Sequence, residues 1–206
     1  MNSGDYLYIW QSPDWPSWHY DLTVLAEPLA KVSRAQGLLM GRLTDVGLGL
    51  QDKASLAALT DDVLKTSEIE GETLDRDSVQ SSLRRQFGLQ ADGRRVGPAE
   101  RGVAAMLSSV YRNFNGPLTE ALLFEWHREL MQGRTDLAQL GGYRTHDEPM
   151  QIVSGPVYEP KVHFEAPSST VIPREMAAFL DWFNGNASMD PVVRSGIAHL
   201  WFVTVH

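Results

Sequence analysis

Apolar residues recur at helical spacing over most of this chain, and that pattern limits the fold more than any other feature. Between residues 17 and 50 they stand three and four positions apart, which predicts a long amphipathic helix or a pair of helices. The positions are Leu22, Leu25, Leu29, Val32, Leu39, Leu43, Val46 and Leu50. Pro28 predicts a kink or a fresh start, because proline removes a helical hydrogen bond. Ahead of this stretch, we expect the aromatic residues of 8–20 to lie extended on the helices.

Start and stop signals divide the rest of the chain into shorter elements. Helices are predicted over 52–70, 77–87 and 98–114, from Thr119 to near Gly133, from Pro173 to 183, and after Asp190-Pro191. Over 141–167 the helical period is absent, and the short runs MQIV and KVHF flank SGPVYEP. This pattern predicts an irregular β-hairpin. The predicted fold class is therefore mainly α with one β-hairpin.

Composition excludes several classes of protein. The 206 residues contain no cysteine, which rules out disulfides, thiolate zinc sites and cysteine nucleophiles. The formal net charge of −8 argues against nonspecific binding to nucleic acid or to an anionic membrane. The six histidines show no metal-ligand spacing, so no metal ligand is assigned within the chain. Because signal-peptide and membrane-spanning patterns are absent, we expect a soluble, cytoplasmic protein.

A glutamate continues the apolar seam of the second helix. Leu56, Leu59 and Val63 form the seam, and the same spacing then reaches Thr66 and Glu70. If this face is buried, Glu70 requires a cation or a hydrogen-bond donor, because an unpaired buried carboxylate is costly. Alternatively, the helix frays before residue 71 and the carboxylate is solvated. The pattern alone leaves both interpretations open.

The last helix is the most hydrophobic one and is followed directly by His206. Its sequence, VVRSGIAHLWFVTV, is apolar on nearly every face, which predicts a central, buried helix. A core helix normally has room for a cap after its last turn. We therefore interpret the chain as cut at this point. Alternatively, the terminal histidine is the first residue of a truncated affinity tag.

These two places resemble motifs of the Fic family. The segment TSEIEG, residues 66–71, resembles the inhibitory motif [S/T]-x-x-x-E-[G/N], with Thr66, Glu70 and Gly71 at its fixed positions. The terminal AHLWFVTVH is similar to the helix that enters the core motif H-x-F-x-[D/E]-G-N-G-R-x-x-R, with His206 as the motif's histidine. Residues 141–144, GGYR, resemble the G-x-[YF]-R segment ahead of the family's flap, and the hairpin over 150–164 corresponds to that flap.

The resemblance implies a fold and a domain organisation. The fold is a Fic-type helical bundle with one β-hairpin flap and an N-terminal helical extension. The implied domains are the extension over 1–50, an inhibitory-helix region over 51–96, and a Fic core over 97–206 that is incomplete at its C-terminus.

The resemblance also implies an activity, which is the transfer of AMP from ATP to a hydroxyl side chain of an unknown target protein. In this interpretation His206 is the general base. Glu70 inhibits by pairing with an arginine that otherwise holds the γ-phosphate of ATP. The hairpin residues Ile152, Val153, Val157 and Tyr158 dock the target and the nucleotide.

The chain departs from the family pattern after His206, where the phenylalanine, the acidic residue and the GNGR loop are absent. We therefore expect this fragment to be inactive, and the ligand of the implied Mg²⁺ to lie beyond its end. Two other functions stay open. One is a non-catalytic Fic-like interaction module, and the other is a Fic enzyme that uses another nucleotide donor or removes AMP. Self-association as a homo-oligomer through exposed helix faces is a further expectation.

Overall fold

The computed structural model describes residues 7–44, 48–90, 92–137, 139–185 and 189–205. They form a mainly helical protein with a two-stranded antiparallel hairpin, which confirms the predicted fold class. The elements are α1 (Leu22–Thr44), α2 (Leu48–Ile69), α3 (Arg76–Gln86), α4 (Pro98–Asn113), α5 (Glu120–Leu130), β1 (Gln151–Ser154), β2 (Lys161–Glu165), α6 (Ile172–Gly185) and α7 (Pro191–Val205). None of the helices in these ranges is both long and apolar enough to cross a lipid bilayer.

Local side chains cap several helices, and two of these caps stand at the predicted places. The Thr119 hydroxyl accepts a hydrogen bond from the backbone N–H of Leu122, and so caps α5. Asp190 caps α7 by accepting from two backbone N–H groups, ahead of Pro191. The N-cap of α3 is Asp75, two residues before the predicted start.

Helix α1 passes through Pro28 without a break, so the predicted long helix is correct and a fresh start at Pro28 is not seen. Its apolar seam is only partly covered, since Leu25 and Leu29 are half-buried whereas Leu22, Val32 and Leu39 are exposed. The periodicity correctly gave the helix, but it carries no information on whether another element packs on the apolar face. The side chains of Leu43, Val46 and Leu50 lie outside the described part of the chain.

The chain divides into two compact units, one of residues 1–27 with 142–206 and the other of residues 28–141. The core of the second unit joins α2, α3 and α4. It contains Leu56, Val63, Val79, Leu83, Val103 and Ala104. Helices α4 and α5 also pack closely in this unit, and the buried Gly102 of α4 faces the backbone of Glu129 in α5.

The first unit has an aromatic core around Trp201 of α7, which is 1% exposed. The rings of Trp15 and Trp18 contact Trp201 with centroids 5.7 and 6.4 Å apart, so the aromatic N-terminal segment packs on a helix as predicted. The segment is not extended, because Ile9–Gln11 is a short 3-10 helix followed by turns. Phe179 and Trp182 of α6 complete the cluster.

Helix α7 is less buried than its composition predicted. It buries the face that carries Ile197, Trp201, Thr204 and Val205, but Val192, Leu200 and Val203 are exposed. The expectation of a central, buried helix therefore holds for one face of α7 and not for the opposite one. The aromatic core covers one face of α7, and hydrophobicity alone does not reveal how many faces have neighbours.

Candidate active site at the end of helix α7

The last turn of α7 is held inside the first unit. Val205 is fully buried, and the hydroxyl of Thr204 donates to the Leu200 carbonyl at 2.7 Å within the helix. His206 follows directly, and this predicted catalytic residue lies outside the described residues. The structure therefore describes the helix turn that precedes His206 in the sequence.

Arg144 is the main polar contact of this helix end. Its Nη2 donates to the carbonyl of Pro167 at 2.5 Å and to the carbonyl of Val205 at 3.3 Å. The last carbonyls of a helix have no partner within the helix, and a cation there also interacts favourably with the helix dipole. Arg144 thus ties α7 to the segment that follows β2.

The side chain of Arg144 is half-buried. Burial lowers the pKa of Arg144, although the side chain stays cationic at neutral pH. Its Nε is buried and has no acceptor within the described ranges. The GGYR segment stands out in the sequence, but the role of this arginine does not, because its partners Pro167 and Val205 are distant in sequence. The one feature of the sequence that could have pointed to Arg144 is its place directly after two glycines and a tyrosine.

The predicted hairpin is present in the same unit. Strands β1 and β2 pair antiparallel with Ile152 opposite Phe164 and Val153 opposite Val162, so His163 is the extra residue of a bulge in β2. The side chains of Ser154 and His163 are joined by a hydrogen bond of 2.6 Å. Gly155 has φ +92°, a left-handed conformation that lets the chain turn after β1.

The four hairpin residues predicted to dock ligands are all exposed and apolar or aromatic. The exposed fractions are 62% for Ile152, 50% for Val153, 99% for Val157 and 88% for Tyr158. An exposed strand also offers unpaired backbone donors and acceptors along its edge, so it can pair with an extended peptide. The hairpin therefore has the surface that a docking role requires, and the role itself remains a prediction.

Gly71 ends α2 with a defined cap. The residue has φ +81°, and its N–H donates to the Glu68 carbonyl at 3.1 Å. The N–H of Glu72 donates to the Ser67 carbonyl at 2.8 Å. This pair of bonds is the Schellman motif, which favours glycine at the left-handed position. The helix cap therefore explains by itself why a glycine stands at the last position of the predicted inhibitory motif.

The Thr66 and Glu70 side chains are exposed, which corrects one of the two interpretations of the α2 seam. The core contacts of α2 end at Val63 and Leu64, so the last turn extends past the packed part of the helix. The helix does not fray either, because the Glu70 N–H donates to the Thr66 carbonyl at 3.2 Å. The inhibitory role of these residues remains a prediction.

The predicted site residues fall into the two units. The hairpin, Arg144 and the end of α7 belong to the first, whereas residues 66–71 belong to the second. Within the described ranges, no three His, Asp or Glu side chains are grouped closely enough to hold a metal ion. The predicted Mg²⁺, whose ligand is expected beyond residue 206, remains a prediction.

Comparison with known proteins agrees with these elements. The chain is similar to a crystal structure of a Fic family protein from Desulfovibrio desulfuricans G20, with 26% identity and a TM-score of 0.54. The alignment covers 86% of this chain and 51% of that one, so the chain spans about half the length of this relative. No curated protein matches the chain.

Two family models match separate parts of the sequence. Residues 8–89 match a domain of unknown function, DUF4172. Residues 117–206 match the Fic/DOC family, and this range contains the hairpin, α6 and α7. The family match and the structural likeness together support a Fic/DOC-type domain over residues 117–206.

Proposed function

We propose that the protein transfers AMP from ATP to a hydroxyl side chain of a target protein. The match of residues 117–206 to the Fic/DOC family supports a nucleotide-transfer function of this general kind. The observation that carries the proposal is the arrangement inside the first unit. There, a hairpin with exposed apolar side chains accompanies a buried helix end, held by Arg144, that leads directly into His206.

In the proposed reaction, the imidazole of His206 accepts the proton of the target hydroxyl. The hydroxyl oxygen forms a bond to the α-phosphorus of ATP. The bond from that phosphorus to the bridging oxygen breaks, and pyrophosphate leaves with the electron pair. A base near neutral pKa suits this proton transfer. Holding the base and both reactants in a fixed geometry contributes much of the rate.

The hairpin is proposed to hold the target beside this base. An extended target segment pairs with the edge of a strand, while Ile152 and Val153 contact its side chains. Val157 and Tyr158, at the turn, contact the nucleotide or the target next to it. Their high exposure supports this role, because a side chain that packs in the protein's own core is not available to a ligand.

Glu70 is proposed to inhibit the enzyme. Its carboxylate is exposed at the C-terminal end of α2, where the helix dipole disfavours a negative charge. A guanidinium that pairs with Glu70 relieves this repulsion. Such a pairing removes the arginine from the γ-phosphate of ATP, so that ATP binds in a pose that resists attack.

The transfer is tested with the full-length protein and ATP labelled in turn on the α- and γ-phosphates. AMP transfer places the α-label, and not the γ-label, on protein. The His206→Ala variant is expected to lose the incorporation. Label from γ-phosphate indicates phosphoryl transfer instead, and label from GTP, CTP or UTP alone indicates another donor. If the unmodified protein and Glu70→Gly, which lacks the proposed inhibitory carboxylate, are both folded and incorporate no label from any nucleotide, the proposal is contradicted and a non-catalytic interaction module is favoured.

The inhibitory role is tested by Glu70→Gly in the same assay. We expect incorporation of the α-label to rise at least about tenfold, the change that corresponds to about 1.4 kcal/mol in the barrier. Glu72→Gly is the matched control, because it removes a neighbouring carboxylate outside the motif. Equal rates for Glu70→Gly and the unmodified protein contradict the inhibitory role.

A further inference from the structure

The N-terminal residues 8–18, here named the aromatic brace, contact both the hairpin and the helices of their unit. At the hairpin, the Tyr8 ring packs edge-on against Phe164 with centroids 5.4 Å apart. The Trp10 indole N–H donates to the backbone carbonyl of Glu165 at 2.7 Å. Both contacts fall at the end of β2, where the hairpin joins the rest of the unit.

The other half of the brace contacts α6 and α7. The Trp15 indole N–H donates to the carboxylate of Glu175 in α6 at 3.1 Å. The rings of Trp15 and Trp18 pack against each other at 5.2 Å and against Trp201 of α7. Trp201 lies one turn before Val205, so the brace reaches the same helix end that Arg144 holds.

The hairpin needs such a support because it has little packing of its own. A two-stranded hairpin is at best marginally stable in isolation. Every residue of β1 is exposed, and in β2 Phe164 and Glu165 are the residues that are half-buried. These two residues are also the ones that the brace contacts. The orientation of the hairpin therefore depends on Tyr8 and Trp10, together with the Arg144 contact at Pro167.

We propose that the aromatic brace sets the position of the hairpin relative to the end of α7, and that Trp10 is a positioning residue for the transfer reaction. Its consequence for catalysis rests on the proposed function, since the hairpin then aligns the target hydroxyl with His206. The brace lies within the range that matches DUF4172, yet it packs in the unit that contains α6 and α7. The first residues of the DUF4172 match thus belong to the same compact unit as the hairpin, α6 and α7.

Hydrogen–deuterium exchange of the full-length protein tests the positioning directly and needs no activity. In Trp10→Phe, which keeps a ring but removes the indole N–H, we expect amides over 150–166 to exchange about fivefold faster, as loss of one hydrogen bond implies. Exchange in α6 and α7 should stay unchanged. Trp126→Phe is the matched control, because Trp126 donates its indole N–H to Ser109 within the other unit. It should leave residues 150–166 unaffected.

Two results overturn the proposal. Unchanged exchange over 150–166 in both Trp10→Phe and Trp10→Ala means that Trp10 does not hold the hairpin. Equal acceleration over the hairpin, α6 and α7 means that Trp10 only stabilises the unit. If the unmodified protein transfers AMP, Trp10→Phe should also lower the rate about fivefold. If it does not, the exchange measurement still decides on the brace, whereas the proposed function fails separately.

Discussion

The guanidinium of Arg144 donates to the backbone carbonyl of Val205, which lies 61 residues later in the chain. The same nitrogen donates to the carbonyl of Pro167, after β2. One side chain thus fixes the residue that precedes His206 and the root of the hairpin. If the transfer reaction takes place as proposed, the distance between the base and the docked target depends on this arginine.

Replacing Arg144 by glutamine should destabilise the protein by about 1.5–3 kcal/mol, the range for hydrogen bonds that involve a charged group. Arg144→Lys should recover only part of the loss, because a lysine ammonium is a point charge on a flexible stem and not a planar fork. Urea unfolding at neutral pH measures both. Arg174→Gln is the control, since that side chain is 78% exposed and its loss should cost no more than about 0.5 kcal/mol. An equal loss for both arginines contradicts the specific role of Arg144.

The sequence predicted the features that depend on neighbouring residues. Thr119 and Asp190 cap helices at the predicted positions. The hairpin was recognisable because the helical period stops between two short apolar runs. Each of these signals acts over a few residues, so the sequence contains it in full.

Features that depend on distant contacts were not predictable in the same way. Trp10 and its hydrogen-bond partner Glu165 are 155 residues apart in the sequence, and nothing in either segment specifies the other. The partly exposed seam of α1 and the exposed Glu70 show a second limit of the sequence. There the spacing predicted an apolar face correctly, but whether a neighbour covers that face is decided elsewhere in the chain.

The cap at the end of α2 gives a prediction for Gly71. Alanine in the left-handed region costs about 1–2 kcal/mol, so Gly71→Ala should lower the free energy of unfolding by about 1 kcal/mol. Gly71→Asn should cost less, because asparagine tolerates this conformation better than alanine. Urea unfolding is the measurement. Gly185→Ala serves as the control, since Gly185 is not left-handed and has open space around its Cα. No loss in Gly71→Ala contradicts the cap.

Glu129 of α5 predicts a pH dependence of stability. Burial raises the pKa of this carboxyl, the nearby charge of Glu125 raises it further, and Arg112 opposes the shift. Its Oε2 is buried without a partner in the described part of the chain. A carboxyl whose pKa is raised by folding binds its proton more tightly in the folded state. Its favourable contribution is therefore present below the ordinary pKa of 4.5 and is lost as the pH rises through the folded value.

Glu129→Gln should therefore stabilise the protein at pH 7 and give no gain at pH 4. Thermal unfolding at the two pH values measures the difference. Glu120→Gln is the matched control on the same helix. Glu120 lies in the first turn of α5, where the helix dipole favours its charge, so this variant should lose up to about 1 kcal/mol at pH 7. A gain of equal size at both pH values for Glu129→Gln indicates a packing effect and contradicts the electrostatic explanation.

The closest helix contact of the second unit gives the clearest steric prediction. A Cβ at Gly102 of α4 clashes with the backbone carbonyl of Glu129 in α5, and a backbone atom cannot turn aside as a side chain does. Gly102→Ala must therefore separate the two helices, at a cost of about 1–3 kcal/mol that outweighs the roughly 1 kcal/mol gained in helix propensity. Gly37→Ala in α1 has the same propensity gain and no atom within 4 Å, so it should stabilise the protein by about 0.5–1 kcal/mol. Urea unfolding of both variants compares the same chemical change with and without the contact. If Gly102→Ala is as stable as Gly37→Ala, then α4 and α5 do not approach each other at Gly102.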